Sequence, residues 1–244
     1  MIHVEDVHAS FAAPVLAGVS MNVPEGCIYA LVGPAAAGKS VLLKVIAGLL
    51  RPQRGTVRIG DVEVTSATAI ELAEMRRRIG MLFQNYALFD HLSVGENIAF
   101  PLHRLFDLTP EEIAARVAER LERVALPGFQ AREPAGLSGG QKKRVGIARA
   151  TVARPPIVFY DEPTAGLDPV TSQKIYDLIR EEQRAQRSTV IAISSDVSGL
   201  LTIADRVGML HRGTLIFDGT VEEARATSHP AVRQFIDGLI EGPL

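Results

Sequence analysis

The sequence predicts an α/β fold in which a parallel-stranded core is interrupted by a helical subdomain and preceded by a strand-rich segment. Three observations carry that prediction. Short apolar, β-branched runs such as "IVFY" (157–160) and "VIAI" (190–193) read as strands buried on both faces. Helical periodicity fills residues 93–153. A glycine-bounded turn, "GPAAAGKS" (33–40), joins the strand "IYALV" to the helix "SVLLKVIAGLL".

In order along the chain, "VLAGVSMNV" and "CIYALV" read as strands, followed by the helix of residues 40–50. "GTVRIGDVEV" reads as a further strand region punctuated by Gly55 and Gly60, and "IGMLF" as a strand ending just before Gln84. Arg76 to Arg78 form a short basic cluster suited to a solvated helix face. In the helical stretch, "TPEEIAARVAERLERV" opens on Thr109 as N-cap, with Pro110 at the first helical position and Glu112 closing a capping box. The alternation then resumes with strand "IVFY" and a helix from Pro169 to about Arg187 with Ile175, Leu178 and Ile179 on one face. Strand "VIAI", a short helix and strand "VGMLH" complete it. The division predicted is a core with its β subdomain in residues 1–92 and 154–228, a helical subdomain in 93–153 and a C-terminal tail helix in 229–244. The tail residues Val232, Phe235, Ile236, Leu239 and Ile240 have helical apolar spacing, which serves docking on the same chain or, the preferred reading, on a partner.

Composition bounds the function. The 244 residues are 47% hydrophobic and 22% charged with a formal net charge of -2, which removes a general electrostatic case for nucleic acid. The single cysteine, Cys27, reads as a small core hydrophobe in a reducing, cytosolic compartment. "MIHVEDVHAS" has no apolar signal region, and no apolar run approaches the roughly 20 residues of a spanning helix, so a membrane role is expected to run through partners.

Three motifs carry chemistry. "GPAAAGKS" fits G-x-x-x-x-G-K-S between a strand and a helix. The backbone of Gly33, Pro34, Ala35, Ala36, Ala37 and Gly38 would cradle phosphates, Lys39 would reach the β- and γ-phosphates, and Ser40 would ligate Mg²⁺. Val41 follows without the hydroxyl that often adds a further contact. "IVFYDEP" ends an apolar strand in two carboxylates, with Asp161 expected on Mg²⁺ and Glu162 expected to deprotonate an attacking water; solvated strand-end acids are the plainer alternative. "LSGGQKKRVGIARA" sets Ser138, Gly139, Gly140 and Gln141 at a second anion-binding helix start. One chain needs one phosphate cradle, so the second suggests a nucleotide clamped between two copies.

With Gln84 after "IGMLF" and "AGLDP" at 165–169, the chain resembles the ATP-binding cassette of ABC transporters over nearly its whole length. The resemblance implies a P-loop NTPase of the ABC nucleotide-binding type, a RecA-like core with an antiparallel β subdomain and a helical subdomain. It implies ATP and Mg²⁺ as ligands, hydrolysis of ATP, a head-to-tail dimer sandwiching two ATP molecules, and integral-membrane permease subunits as partners. Gln84 would then sense metal and water, Asp168 would sit in the loop facing the partner's nucleotide, and Phe11 would stack on adenine, a core phenylalanine being the alternative. The family's switch histidine falls on Ser195, which implies either a weaker alignment of water and Glu162 or a catalytically weak ATP-gated clamp; Ser195 and Asp196 as mere helix caps is the plain alternative.

Finer segments, "GKSVLLKVIAGLL", "MLFQNYALFDHLSVGENIAFPL", "YDEPTAGLDPVTS" and "HPAVRQFIDG", resemble the ATPase of Mla-type and Mce-type lipid transport systems. That implies phospholipid movement between bacterial membranes, a place on the cytoplasmic face of the inner membrane, and accessory lipid-transport subunits. Another ABC importer or exporter, or a soluble ABC protein acting on DNA or ribosomes, is the alternative. Tyr86, Leu88, Phe89 and Leu92 form an apolar cluster suited to a permease helix or to packing between lobes.

Overall fold

A computed structural model describes all residues, 1–244. In chain order it begins with strands β1 (Ile2–Ser10), β2 (Pro14–Val23) and β3 (Ile28–Val32), helix α1 (Lys39–Ile46), and strands β4 (Arg54–Ile59) and β5 (Val62–Glu63). Helix α2 (Ala69–Arg76), strand β6 (Ile79–Leu82), and helices α3 (Val94–Leu105), α4 (Pro110–Arg123) and α5 (Gly139–Thr151) follow. The last part holds β7 (Ile157–Asp161), α6 (Pro169–Gln186), β8 (Thr189–Ile193), α7 (Val197–Ile203), β9 (Arg206–His211), β10 (Thr214–Thr220), α8 (Val221–Ala226) and α9 (Pro230–Asp237).

Two sheets form. The larger has the order β10-β9-β3-β8-β7-β6, parallel except for the antiparallel edge strand β10. Every residue of β3, β7 and β8 is buried, as strands covered on both faces must be. The smaller sheet, β2-β1-β4-β5, is antiparallel, and its apolar face shares one core with α1 and one face of the larger sheet. Helices α6, α7, α8 and α9 cover the opposite face. The helical subdomain has its own core from Val94, Ile98 and Leu102 of α3, Ile113, Val117 and Leu121 of α4, Val145 and Ala148 of α5, and Val152 at the end of α5. Helix α5 serves both bodies, since Ile147 on its other face packs with Leu82, Val158 and Tyr160 of the parallel sheet. A buried ion pair of Arg120 with Glu182 ties α4 to α6, and Arg123 reaches the same carboxylate at 3.2 Å.

Several elements differ from the sequence expectations. β1 and β10 are strands where the sequence predicts no element, and α2, opened by a capping box of Thr68 and Glu71, ends at Arg76, so of the basic cluster only Arg76 lies on the helix. "GTVRIGDVEV" is two strands, because Gly60 turns the chain at φ +56. α1 stops at Ile46 instead of running to Leu50, since the chain turns into the left-handed region at Gly48, φ +66. The tail is helical only to Asp237: Gly238 ends α9 in the left-handed region. Val232, Phe235 and Ile236 dock on the chain's own core, which overturns the partner reading for them, while Leu239 and Ile240 lie beyond the helix and are exposed. Cys27 is buried as expected, and burial pushes its thiol up to about 11.

Candidate functional site

The site grows from the C-terminal end of β3, where open α/β sheets place their ligands. Gly33 and Gly38 bound the loop at φ +145 and +102; a Cβ on Gly33 would lie 2.0 Å from the Leu210 carbonyl oxygen, so the backbone path requires glycine. Ala36 within the loop is also left-handed, at φ 59. Helix α1 starts at once, with no side-chain cap and no acid in its first turn, whereas α2, α3, α4, α5 and α6 all have side-chain caps. Its first amide donors are thus left for an anion.

A cavity of about 450 Å³ opens over this loop, lined by Val15, residues 35–41, Gln84, Glu162 and Ile193. Val15 and Ile193 escaped the sequence reading. Val15 arrives because the Ala17 amide donates to the Gly213 carbonyl at 2.8 Å, which pins β2 to the hairpin between β9 and β10. Phe11 is 63% exposed in the turn between β1 and β2, which excludes a core role, and it stands outside the cavity lining.

The Lys39 ammonium donates to the carbonyls of Gly33 and Pro34 at 2.7 and 2.8 Å. Burial lowers its pKa, opposed by the carboxylates of Glu162 and Asp161. Asp161, 4% exposed at the end of β7, accepts from the Ser40 hydroxyl at 3.1 Å. Burial raises its pKa, with Ser40, Lys44 and Lys39 holding it down. A buried carboxylate, an adjacent hydroxyl and the Gln84 amide are hard oxygen donors that fit Mg²⁺, and no group of three or more His, Cys, Asp or Glu side chains gathers into a full protein cage.

Glu162 follows with φ 55, a left-handed backbone costing a non-glycine residue about 1–3 kcal/mol. Its amide donates to the Ile193 carbonyl at 2.9 Å, and its own carbonyl accepts from the Lys143 ammonium. Its Oε2 accepts from both the amide and the hydroxyl of Ser195, each at 2.9 Å. Ser195 is therefore bonded to the carboxylate of Glu162. The helix cap is Asp196, whose carboxylate accepts from the Gly199 amide at 3.0 Å. Ser194 is buried and bonded to the Tyr176 hydroxyl at 2.8 Å.

The second helix start builds a different surface. Ser138 and Gln141 close a capping box at α5, the Gln141 amide donating to the Ser138 hydroxyl at 3.3 Å and the Ser138 amide to Gln141 at 2.9 Å. Asp168 caps α6 through Thr171, and those bonds lower its pKa. Ser138, Gly140, Gln141 and Asp168 line one cavity of about 410 Å³, which shares no lining residue with the loop cavity. Gly139 lies beside the Tyr86 hydroxyl, outside that lining.

The apolar cluster after Gln84 divides. Leu88 packs into the core of the helical subdomain, and Tyr86 faces Lys143, with 5.1 Å between ammonium and ring centre. Phe89 lines an apolar groove of about 340 Å³ with Phe83, Phe100, Pro101, Leu105 and Arg149. Lys143 was not singled out from the sequence. Helical spacing carried the signal, since Lys143 shares a face with the buried Ile147 and Ala150.

Comparison with known proteins gives one family. The profile described as "ABC transporter" matches residues 16–165. The methionine import ATP-binding protein MetN of Caulobacter vibrioides is 39% identical over 97% of this chain and 72% of its own length. The probable ribonucleotide transport ATP-binding protein mkl of Mycobacterium leprae is 38% identical over 93% of this chain, which spans only 65% of that protein. Protein TRIGALACTOSYLDIACYLGLYCEROL 3 of Arabidopsis thaliana is 36% identical over 100% of this chain and 75% of its own. Among solved structures, the cassette MJ0796, dimeric and bound to ADP and Pi in a post-hydrolysis state, superposes with a TM-score of 0.85 at 30% identity, covering 91% of this chain and 99% of that one.

Proposed function

The chain belongs to the ABC transporter family, and from that premise we propose that it is the ATP-hydrolysing subunit driving a permease pair that moves lipid between bacterial membranes, as in Mla-type systems. As a cassette of this family it binds ATP with Mg²⁺ and hydrolyses ATP. The observation that carries the site assignment is the loop cavity, which sets an uncapped helix start opposite a glutamate fixed at its amide, carbonyl and carboxylate.

In this reading the loop amides and α1 receive the phosphates, and Lys39 exchanges the Gly33 and Pro34 carbonyls for phosphate oxygens. Ser40, Asp161 and Gln84 would hold Mg²⁺, which when bound neutralises charge on the β- and γ-oxygens. Both bonds from Ser195 fall on Oε2 of Glu162, which leaves Oε1 to take the proton of the attacking water. The exposed Phe11 stacks on adenine. Ser138, Gly140, Gln141 and Asp168 close on the nucleotide of a second copy head-to-tail, because one chain keeps its two anion-facing surfaces in separate cavities.

The permease partner is supported by the apolar groove around Phe89, which suits a short helix. No helix of the chain is long and apolar enough to cross a membrane. Attachment to the cytoplasmic face of the inner membrane therefore runs, in this reading, through the permease, with accessory lipid-transport subunits beyond it. For cargo, one relative carries a glycolipid in its name, while others are named for methionine and ribonucleotide. The segment resemblance to Mla-type ATPases favours lipid.

Phe89→Asp tests the coupling surface. A carboxylate there replaces apolar contact with charge, partly offset by the Arg149 guanidinium 5.8 Å from the Phe89 ring centre, and is expected to lower affinity for the permease about tenfold, while nucleotide binding by the isolated chain stays unchanged. Affinity capture of the complex from native membranes, followed by reconstitution, measures both coupling and cargo. Retention of the permease by Phe89→Asp moves the coupling surface elsewhere. ATP turnover quickened by an amino acid or nucleotide, and not by phospholipid, overturns the lipid reading.

A further inference from the structure

Lys143 is buried to 1% exposure, yet it stands outside the lining of both nucleotide-facing cavities. Its ammonium donates to the backbone carbonyl of Glu162 and lies over the ring of Tyr86. Both neighbours have an uncommon backbone for a residue other than glycine, Glu162 at φ 55 and Tyr86 at φ 60, and Ala87 after Tyr86 continues it at φ 50. Such conformations persist only where the surroundings hold them. Helix α5 provides that hold at both places, because Arg149 on the same helix donates to the carbonyls of Ala87 and Tyr86 at 2.7 and 2.6 Å. Arg149 and Ala87 also border the apolar groove, so groove, Tyr86, Lys143 and Glu162 form a continuous packed series. Burial lowers the pKa of Lys143, and the carboxylates of Glu162 and Asp161 pull it back up.

We propose that Lys143 is a positioning residue for ATP hydrolysis: its buried ammonium fixes the left-handed backbone of Glu162 and, through the face of Tyr86, ties that glutamate to the loop bordering the apolar groove. Without the ammonium, the peptide after Glu162 loses its donor and relaxes away from the left-handed region, carrying the carboxylate off line. An ångström of such displacement costs on the order of a hundredfold in rate. The proposal rests on Glu162 being the general base.

The test is steady-state ATP hydrolysis by the full chain, with Tm and binding of a fluorescent ATP analogue measured on each variant. Lys143→Met keeps the apolar stem and removes the charge. Its kcat is expected to fall about ten- to a hundredfold with KM, nucleotide affinity and Tm held, and Lys143→Gln, which restores a neutral donor, is expected to fall between Met and wild type. Wild-type kcat in Lys143→Met overturns the proposal. So does a kcat loss that tracks a lowered Tm and gains nothing from glutamine, since that marks a merely structural lysine. If the methionine variant does not fold, Lys143→Gln decides: reduced kcat at unchanged KM and Tm supports the role, and full kcat overturns it. Tyr86→Leu removes the aromatic face alone, and an unchanged kcat there overturns the tie to the groove. Glu162→Gln is run alongside; if it retains wild-type turnover, the base assignment itself has failed, independently of Lys143.

Discussion

Glu162→Gln turns over ATP at least about a hundredfold more slowly than wild type, the low end of what a positioned general base contributes, and it accumulates as an ATP-bound dimer. The substitution changes little else. The amide oxygen can still accept from the Ser195 amide and hydroxyl, and the backbone remains held by Ile193 and Lys143. Basicity at the free oxygen is what disappears, while the phosphate loop and the Ser138 surface are untouched. Phosphate release, together with light scattering on a sizing column in Mg·ATP, reads both effects. A monomer with undiminished hydrolysis contradicts the assignment. Ser195→Ala is expected to cost far less, about 1 kcal/mol or several-fold in rate, because one of the two bonds to Oε2 comes from the backbone and survives.

Lys39→Ala abolishes measurable hydrolysis and weakens ATP binding by about ten- to a hundredfold, the range for losing a charge-assisted hydrogen bond of roughly 1.5–3 kcal/mol. Two effects combine there. The cation facing the β- and γ-phosphates is gone, and the carbonyls of Gly33 and Pro34 lose the donor that braces the loop. Titration with a fluorescent nucleotide checks the affinity, and unchanged binding would contradict the role of Lys39.

What could be read from the sequence was local. The phosphate loop, the acid pair at the end of β7, and the capping box of Thr109 and Glu112 are each contained in a few consecutive residues, and the chain folds them as spaced. What could not be read depends on distant partners or on a slip of register. β1 alternates Ile2 and Val4 toward the core, then breaks phase at Asp6, φ 46, with register shifts between Val4 and Val7 and between Val7 and His8. β10 is a half-buried edge strand whose apolar run, Leu215 to Phe217, lacks a two-residue alternation. The two left-handed residues Tyr86 and Ala87 re-aim the chain, so Leu88 faces a core and its neighbour Phe89 a groove. The hydroxyl of Ser195 bonds a carboxylate 33 residues earlier. No spacing rule encodes that pairing. The end of α9 was legible in Gly238, but the apolar spacing that continues through Leu239 and Ile240 masked it.

The central claim is a composite site in which the phosphate loop of one copy works with the Ser138 surface of another. Mixing two inactive chains, Lys39→Ala and Ser138→Arg, tests it most directly. Each variant alone breaks both sites of its dimer. A mixed dimer keeps one complete site, the intact loop of the Ser138→Arg chain facing the intact Ser138 of the Lys39→Ala chain. An equal mixture is therefore predicted to recover about a quarter of wild-type activity per chain if sites turn over independently, since half the dimers are mixed and each has one of two sites. No recovery at any ratio, with mixed dimers shown to form, would contradict the two-chain site.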